Sequence, residues 1–352
     1  MKTFLQQRFR RCARTTGNPN DIFIFYTAFF LVLAGPAAFT QQVTAVTGVS
    51  ITVEDLDREV DFFTNVLEFK KVNDERWTGE PVQRLFGLPA NHAGVRVVTL
   101  QLGAEQIRLL DFDGAPSRTI SADTRSNDLW FQHLAIVVSD IDVAYQRLLE
   151  HRVAHVSTAP QTLPAYLPNA AGIRAFYFRD PEGHNLELIW FPPGKGNARW
   201  QSGAGATGSP FLGIDHTAIA ISDTERSLGF YRDQLHLEIG GHSENFGPEQ
   251  EHLNQVFGAR LDINGLHAAA GFGVEFLRYI TPPGGRVYPA GSNPTDLWHY
   301  HTELKTDNLP LLVQQLKTAG FAKISKGLVR LGGKEMFLLR DPDGHAVLLW
   351  QE

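Results

Sequence analysis

Residues 178–190 read FRDPEGHNLELIW, and residues 338–350 read LLRDPDGHAVLLW. In the first stretch Asp180-Pro181-Glu182-Gly183 suits a type I hairpin turn, with Asp at the first position, Pro at the second and Gly at the fourth. The turn feeds a strand. Asn185, Glu187 and Ile189 face one side of it, and Leu186, Leu188 and Trp190 face the other. Glu187 therefore sits on a strand whose opposite face is apolar. Spacing alone leaves two readings open, a solvent-facing Glu on a one-sided sheet or a functional carboxylate.

The repeated turn is one of two internal echoes. SNDLWFQHLAI at 126–136 resembles SNPTDLWHYHTEL at 292–304, with Asp-Leu-Trp, two further residues and then a His. The two echoes occur in the same order, so the chain is a tandem duplication. Each half divides again. GVSITVEDLDREVDFFTNVLEF at 48–69 and DHTAIAISDTERSLGFYRDQLHL at 215–237 both give an alternating strand, an acidic helix cap and an amphipathic helix. Val60, Phe63 and Leu67, like Leu228, Tyr231 and Leu235, have helical spacing. The order recurs at His133–Val153, with Asp140 near the cap, and at His301–Phe321, with Asp307; Gly320 fits a helix stop. Apolar strands such as Val95–Leu100, Ile107–Phe112, Arg174–Phe178 and Leu186–Phe191 follow the helices. The expected fold is α+β, with four β-α-β-β-β modules near 43–112, 129–192, 211–282 and 297–351. They group into domains at 41–192 and 211–352, joined by a Gly-rich linker at 193–210 that reads as flexible.

Residues 1–40 stand apart. Lys2, Arg8, Arg10, Arg11 and Arg14 precede the apolar run Ile22–Leu33, and Gly35-Pro36-Ala37-Ala38 follows. This is the order of a secretory signal. An uncleaved membrane anchor and a misassigned start codon are the alternatives. The expected location is exported, periplasmic or secreted, with no membrane contact beyond this segment. Loss of 1–38 removes five basic groups and Asp21, so the formal net charge moves from −6 to −10. Such a chain is a poor nucleic-acid partner, because phosphate binding needs clustered Lys and Arg. The only cysteine is Cys12. The remainder has no thiol nucleophile and no thiolate ligand, so a metal would be held by His, Asp and Glu.

A β-α-β-β-β unit with a DP[DE]GH turn near its end resembles the vicinal oxygen chelate superfamily, which includes glyoxalase I, the bleomycin resistance proteins and the extradiol dioxygenases. The resemblance covers nearly all of 43–351. It implies paired modules forming half-barrels, with metal ligands on the first and last strands of a module. It places His133, Glu187, His216 and Glu275 at the two-His, two-Glu positions of glyoxalase-like sites. Module one departs from the pattern, with Gly48 and Arg108 at these positions, and module four keeps His301 but has Leu348. Pairing module two with three would unite all four ligands. Pairing three with four would instead offer His216, Glu275 and His301, a dioxygenase-like triad. Ligands without sulfur suit Zn, Ni, Mn, Fe or Co.

The activity that the resemblance implies is lyase or isomerase chemistry on a small substrate with two vicinal oxygens. The metal would stabilise an enediolate, and Glu187 or Glu275 would move the proton. The alternatives are iron-dependent extradiol cleavage of a catechol, with His299 and Tyr300 nearby, and a non-catalytic small-molecule binder. For the binder, Arg108 and Arg84 could grip an anion in the pocket of modules one and four.

Overall fold

The computed structural model describes residues 43–115, 117–202 and 208–352. The leader at 1–40 lies outside the described residues. Among the described residues no helix is long and apolar enough to cross a membrane.

All four module helices form where an acidic or amide side chain can cap them. They span Leu56–Asn65, Ile141–Glu150, Thr224–Tyr231 and Leu309–Thr318. Asp55, Asp140, Asp223 and Asn308 each accept a hydrogen bond from a first-turn backbone N–H, satisfying a donor that the helix itself leaves free. In module four the cap is Asn308, one residue beyond Asp307. Modules one and three carry an extra short helix, Glu80–Leu85 and Pro248–Asn254, which the repeat pattern does not reveal.

Among the described residues the strands form two nine-stranded sheets, and each sheet joins modules from opposite halves of the chain. In one, Val43–Val53 of module one lies antiparallel to Tyr300–Thr306 of module four. In the other, Gln132–Val138 of module two lies antiparallel to Phe211–Ile221 of module three. The last long strand of each module pairs in parallel with its first: 105–112 with 43–53, 185–190 with 132–138, 273–281 with 211–221, and 346–351 with 300–306. Each sheet is thus a half-barrel made of two modules related end for end.

Strand alternation sorts the side chains. Leu134, Ile136 and Val138, with Ile219 and Ile221, pack into the main core, beside Val49, Ile51 and Leu304 of the other sheet and the buried faces of the helices. Their neighbours His133, Ala135 and Val137, with His216, Ala218 and Ala220, point into the opposite, concave face. At the centre of the core Thr217 Oγ1 meets Tyr300 Oη at 2.7 Å. The two concave faces therefore open away from each other.

The DP[DE]GH turns are structural. Asp180 binds Nδ1 of His184 at 2.7 Å, and His184 Nε2 lies 2.7 Å from the Leu297 carbonyl oxygen. Asp341 and His345 repeat the first of these contacts at 3.1 Å. The acidic third residue of each turn reaches a helix entrance on another module. Glu182 accepts the backbone N–H groups of Glu54 and Asp55 at 2.8 and 2.7 Å. Asp343 accepts those of Ser222, backbone N–H at 2.9 Å and hydroxyl at 2.6 Å.

The linker is partly docked rather than free. Arg199–Ser202 form a helical turn, and Trp200 is buried. Its indole N–H donates to Asp215 Oδ1 at 2.8 Å, while Arg199 donates to Glu105 at 2.5 Å.

Candidate metal centre

The register of the second sheet brings four side chains together. His133 is directly opposite Ala218, and His216 is opposite Ala135. Glu187 sits beside Ala135, and Glu275 beside Ala218. Small residues thus occupy the two places between the functional ones, leaving room for a shared centre. His133 Nε2 lies 3.0 Å from Glu187 Oε2, and His216 Nε2 lies 3.5 Å from both Glu187 Oε2 and Glu275 Oε2.

His133, Glu187 and His216 are buried, whereas the Glu275 side chain is 25% exposed. Donor atoms of His133, Glu187 and His216 all lie within 4.8 Å of one another. Atoms bound to one cation at about 2.0–2.2 Å are expected to lie within this range of each other. His133 Nε2 and His216 Nε2 are buried without a well-formed hydrogen bond, each facing a carboxylate oxygen at 3.0–3.5 Å. Buried polar atoms are normally satisfied, so these facing donors mark a place for a cation that takes one lone pair from each imidazole. The donor set fits a divalent cation.

The electrostatics agree. Burial alone would raise the Glu187 carboxyl, but His133 and His216 bring it down to about 2. Burial would lower His216, yet Glu275, Asp215 and Glu187 hold it well above the usual histidine range. Glu275 itself is raised by burial, which outweighs the attraction of His216. This is a pocket whose carboxylates call for positive charge at His216 Nε2. Its other nitrogen, Nδ1, lies 3.0 Å from Asp215, which Trp200 holds in turn. A carboxylate on the far nitrogen fixes which imidazole nitrogen faces a metal.

The centre opens into a cavity of about 590 Å³. Glu187, His216 and Glu275 line it, and Tyr177 lies beside them with its ring 4.8 Å from that of His133. Sequence reasoning placed all four candidate ligands but gave no role to Asp215, Trp200 or Tyr177. Asp215, adjacent to a candidate ligand, was the legible signal. Trp200 was hidden in a stretch read as linker.

The corresponding face of the first sheet has lost these features. Gly48 holds the place of His216, Arg108 that of Glu275, Leu348 that of Glu187, and His301 that of His133. Glu303, opposite Gly48, was not anticipated; it binds the Arg108 guanidinium and accepts a 2.6 Å bond from Ser50 Oγ. A side chain at position 48 would begin 3.0 Å from the Gln106 carbonyl oxygen and 3.7 Å from Glu303 Oε2. A guanidinium–carboxylate pair thus stands where the other sheet has its candidate ligands. Burial lowers His301 to about 4, so its imidazole is neutral at pH 7.

Three expectations change accordingly. The alternative triad of His216, Glu275 and His301 is not brought together, because His216 and His301 project from opposite sides of the Thr217–Tyr300 contact. Arg108 and Arg84 do not form an anion grip: Arg108 is paired with Glu303, and Arg84 lies 3.9 Å from Glu80. Tyr300 is committed to Thr217, and His299 is buried with its Nε2 3.2 Å from His301 Nδ1.

Comparison with known proteins agrees with this architecture. A 2-epi-5-epi-valiolone epimerase from an Actinomyces species is 35% identical over 155 residues, which span 43% of this chain and 81% of the relative. Glyoxalase I from Zea mays superposes with a TM-score of 0.56 at 16% identity, covering 89% of this chain and 92% of the maize protein. A putative dioxygenase from Bacillus subtilis also gives 0.56, at 13% identity over 89% of this chain and 86% of its own. These two structures speak for the fold. The family model described as Glyoxalase/Bleomycin resistance protein/Dioxygenase superfamily matches residues 44–188 and 213–349. Matched over both halves, and built from four modules in two half-barrels, the chain belongs to that superfamily.

Proposed function

We propose that the chain is a metal-dependent isomerase, of the epimerase kind, acting on a small substrate with a carbonyl and a hydroxyl on adjacent carbons. The observation that carries this is the convergence of His133, Glu187, His216 and Glu275 at the wall of one large cavity. The epimerase relative points to the same class of reaction.

His133, Glu187 and His216 would hold the cation, with Glu275 completing the set. A bound divalent cation supplies Lewis-acid stabilisation of negative charge on the substrate oxygens. The chain's own residues divide the remaining work. Glu187 is buried between two imidazoles and is suited to stay in place. Glu275 is the more exposed carboxylate at the cavity wall, and burial of its inner part raises its proton affinity above the usual carboxylate value. A carboxylate that faces the cavity in this way is placed to act as a general base. Glu275 would take the proton from the carbon beside the carbonyl; the C–H pair becomes a carbon–carbon double bond as the carbonyl pair moves onto oxygen. Return of that proton by Glu275 to the neighbouring carbon gives the isomer, and delivery of a solvent proton to the opposite face of the first carbon gives the epimer.

The test is solvent exchange. Zinc- or manganese-loaded protein in deuterium oxide should label an α-hydroxy ketone at the carbon beside the carbonyl, as read by NMR. Glu275→Gln, at saturating metal, should abolish labelling while the cation stays bound. Labelling undiminished in that variant would remove Glu275 from the role of base. Consumption of oxygen with a catechol would replace the reading altogether.

Export belongs to the same proposal. The leader-like order of residues 1–38 supports a mature chain beginning between about Ala38 and Gln42, which mass spectrometry of protein from its host would check. Soluble protein that retains Met1 would overturn it.

A further inference from the structure

The cavity beside the candidate metal centre has a composition that selects among substrates. Among the described residues no Lys or Arg lines it. Lys195 is next to the lining residue Gly196, but its ammonium donates to the carbonyl oxygens of Pro168 and Asn169 at 2.8 and 3.1 Å. His242, also on the wall, is held 2.8 Å from Asp262. The other charged groups on the wall, Glu187, Glu275 and His216, belong to the candidate metal centre. A phosphate or a carboxylate entering here would find no counter-ion away from that centre.

The wall does offer neutral hydrogen-bonding groups. Asn245 and Gln250 both line the cavity and are only 5% and 2% exposed. The side-chain oxygen of each is buried without a partner. An unpaired buried carboxamide is costly, and nearly all such groups in folded proteins are satisfied. Ser243 and Asn169 add further polar groups to the wall, while Leu163, Ile173 and Leu253 supply apolar surface. A hydroxyl both donates and accepts, so it can satisfy either end of a carboxamide whichever way the amide is turned.

From these observations we propose that the cavity takes a neutral, polyhydroxylated ketone, with Asn245 and Gln250 binding hydroxyl groups remote from the reacting carbons. Phosphorylated sugars, coenzyme A thioesters and glutathione adducts are disfavoured, because their anionic groups meet no counter-ion away from the metal centre. The inference deepens the proposed isomerase reading and rests on it for the identity of the site.

The test is a binding series on the full chain, zinc-loaded and metal-free, by calorimetry or saturation-transfer NMR. The probes are 2-keto-myo-inositol, the hydroxyl-poor 2-hydroxycyclohexanone, fructose 6-phosphate and S-lactoylglutathione. The inositol ketone should bind at least about tenfold more tightly than 2-hydroxycyclohexanone. Asn245→Leu combined with Gln250→Leu should close most of that gap, and the two anionic probes should not compete. Failure of the inositol ketone to bind, equal binding of an anionic probe, or a preference unchanged in the double variant would each overturn the inference. The comparison among probes on the unaltered chain stands even if the variant misfolds. A chain that takes up no zinc but keeps the polyol preference would sink the metal reading alone. A chain that binds zinc yet prefers an anionic probe would sink this inference alone.

Discussion

At His133, Glu187 and His216 each side chain sits opposite or beside an alanine on the next strand, so removal of one donor leaves a gap that water must fill. His133→Ala, Glu187→Gln and His216→Ala should each weaken zinc binding by tenfold or more, about 1.4 kcal/mol per factor of ten. His301→Ala, on the other sheet, should leave zinc affinity unchanged; competition against a chelator measures all four. Circular dichroism must show each variant folded, since His133 is fully buried. Asp215→Asn and Trp200→Phe probe the support of His216. Partners on the far nitrogen of a metal-bound imidazole typically matter by about 10–100-fold in metal affinity. The expected order of loss is Asp215→Asn above Trp200→Phe, because the indole acts only through the carboxylate. The reverse order would show that Trp200 serves packing instead.

At the scale of the elements, the acidic residue in each DP[DE]GH turn explains how modules of different sheets hold each other. The carboxylate of Glu182 accepts two backbone N–H groups at the entrance of helix 56–65 and also meets Arg58 at 3.2 Å. It lies almost wholly out of water, with 2% of its side chain exposed. Glu182→Ala should therefore destabilise the protein by about 1–3 kcal/mol in urea unfolding, as expected when backbone donors at a helix entrance lose a charged acceptor. Zinc affinity should hardly change. These turns were legible as turns, because Asp, Pro and Gly have local conformational reasons to be there. Their acidic third residue was not legible, since its partner lies over a hundred residues away and no local rule announces it. The same limit hid Glu303. Its meaning depends on Arg108 across two strand pairings, so single-strand alternation could show only that it faces inward. The four candidate ligands came from the family resemblance, which assigns positions on the first and last strands of a module; the strand register then brings those side chains of modules two and three together.

Over the whole molecule, the contact between the first helix and the turn of module two makes stability depend on pH. Burial, and then Asp180, raises Glu59 from 4.5 to about 9, so this fully buried side chain is neutral in the folded protein. The unfolded chain releases that proton near pH 4.5 and the folded one near 9, so stability falls as pH rises across this window. His184 adds the same sign: burial opposes its charge, but Asp180 raises it to about 9, and the stability it contributes is present below 6.5 and fades through 9. Urea unfolding at pH 5 and pH 8 should show the decline, and Glu59→Gln should flatten it. A slope unaltered in that variant would assign the effect elsewhere. The two sheets lead to a further expectation about the chain as one body. Each half of the sequence supplies only half of each sheet, and the seams 132–138 with 211–221 and 43–53 with 300–306 both cross from one half to the other. The covalent link between the halves is therefore not what holds them together. A chain cut between Ser202 and Gly208 should remain one complex on size-exclusion chromatography and keep its zinc. Residues 211–352 alone should lose zinc binding, because His216 and Glu275 remain while His133 and Glu187 are gone. Such a fragment would also expose the edge of the 211–221 strand, an open edge that invites pairing with a second copy. Zinc affinity in the fragment must therefore be measured at concentrations where it is monomeric. Full affinity there would mean that the centre is built within one half of the chain, and the shared centre would have to be given up.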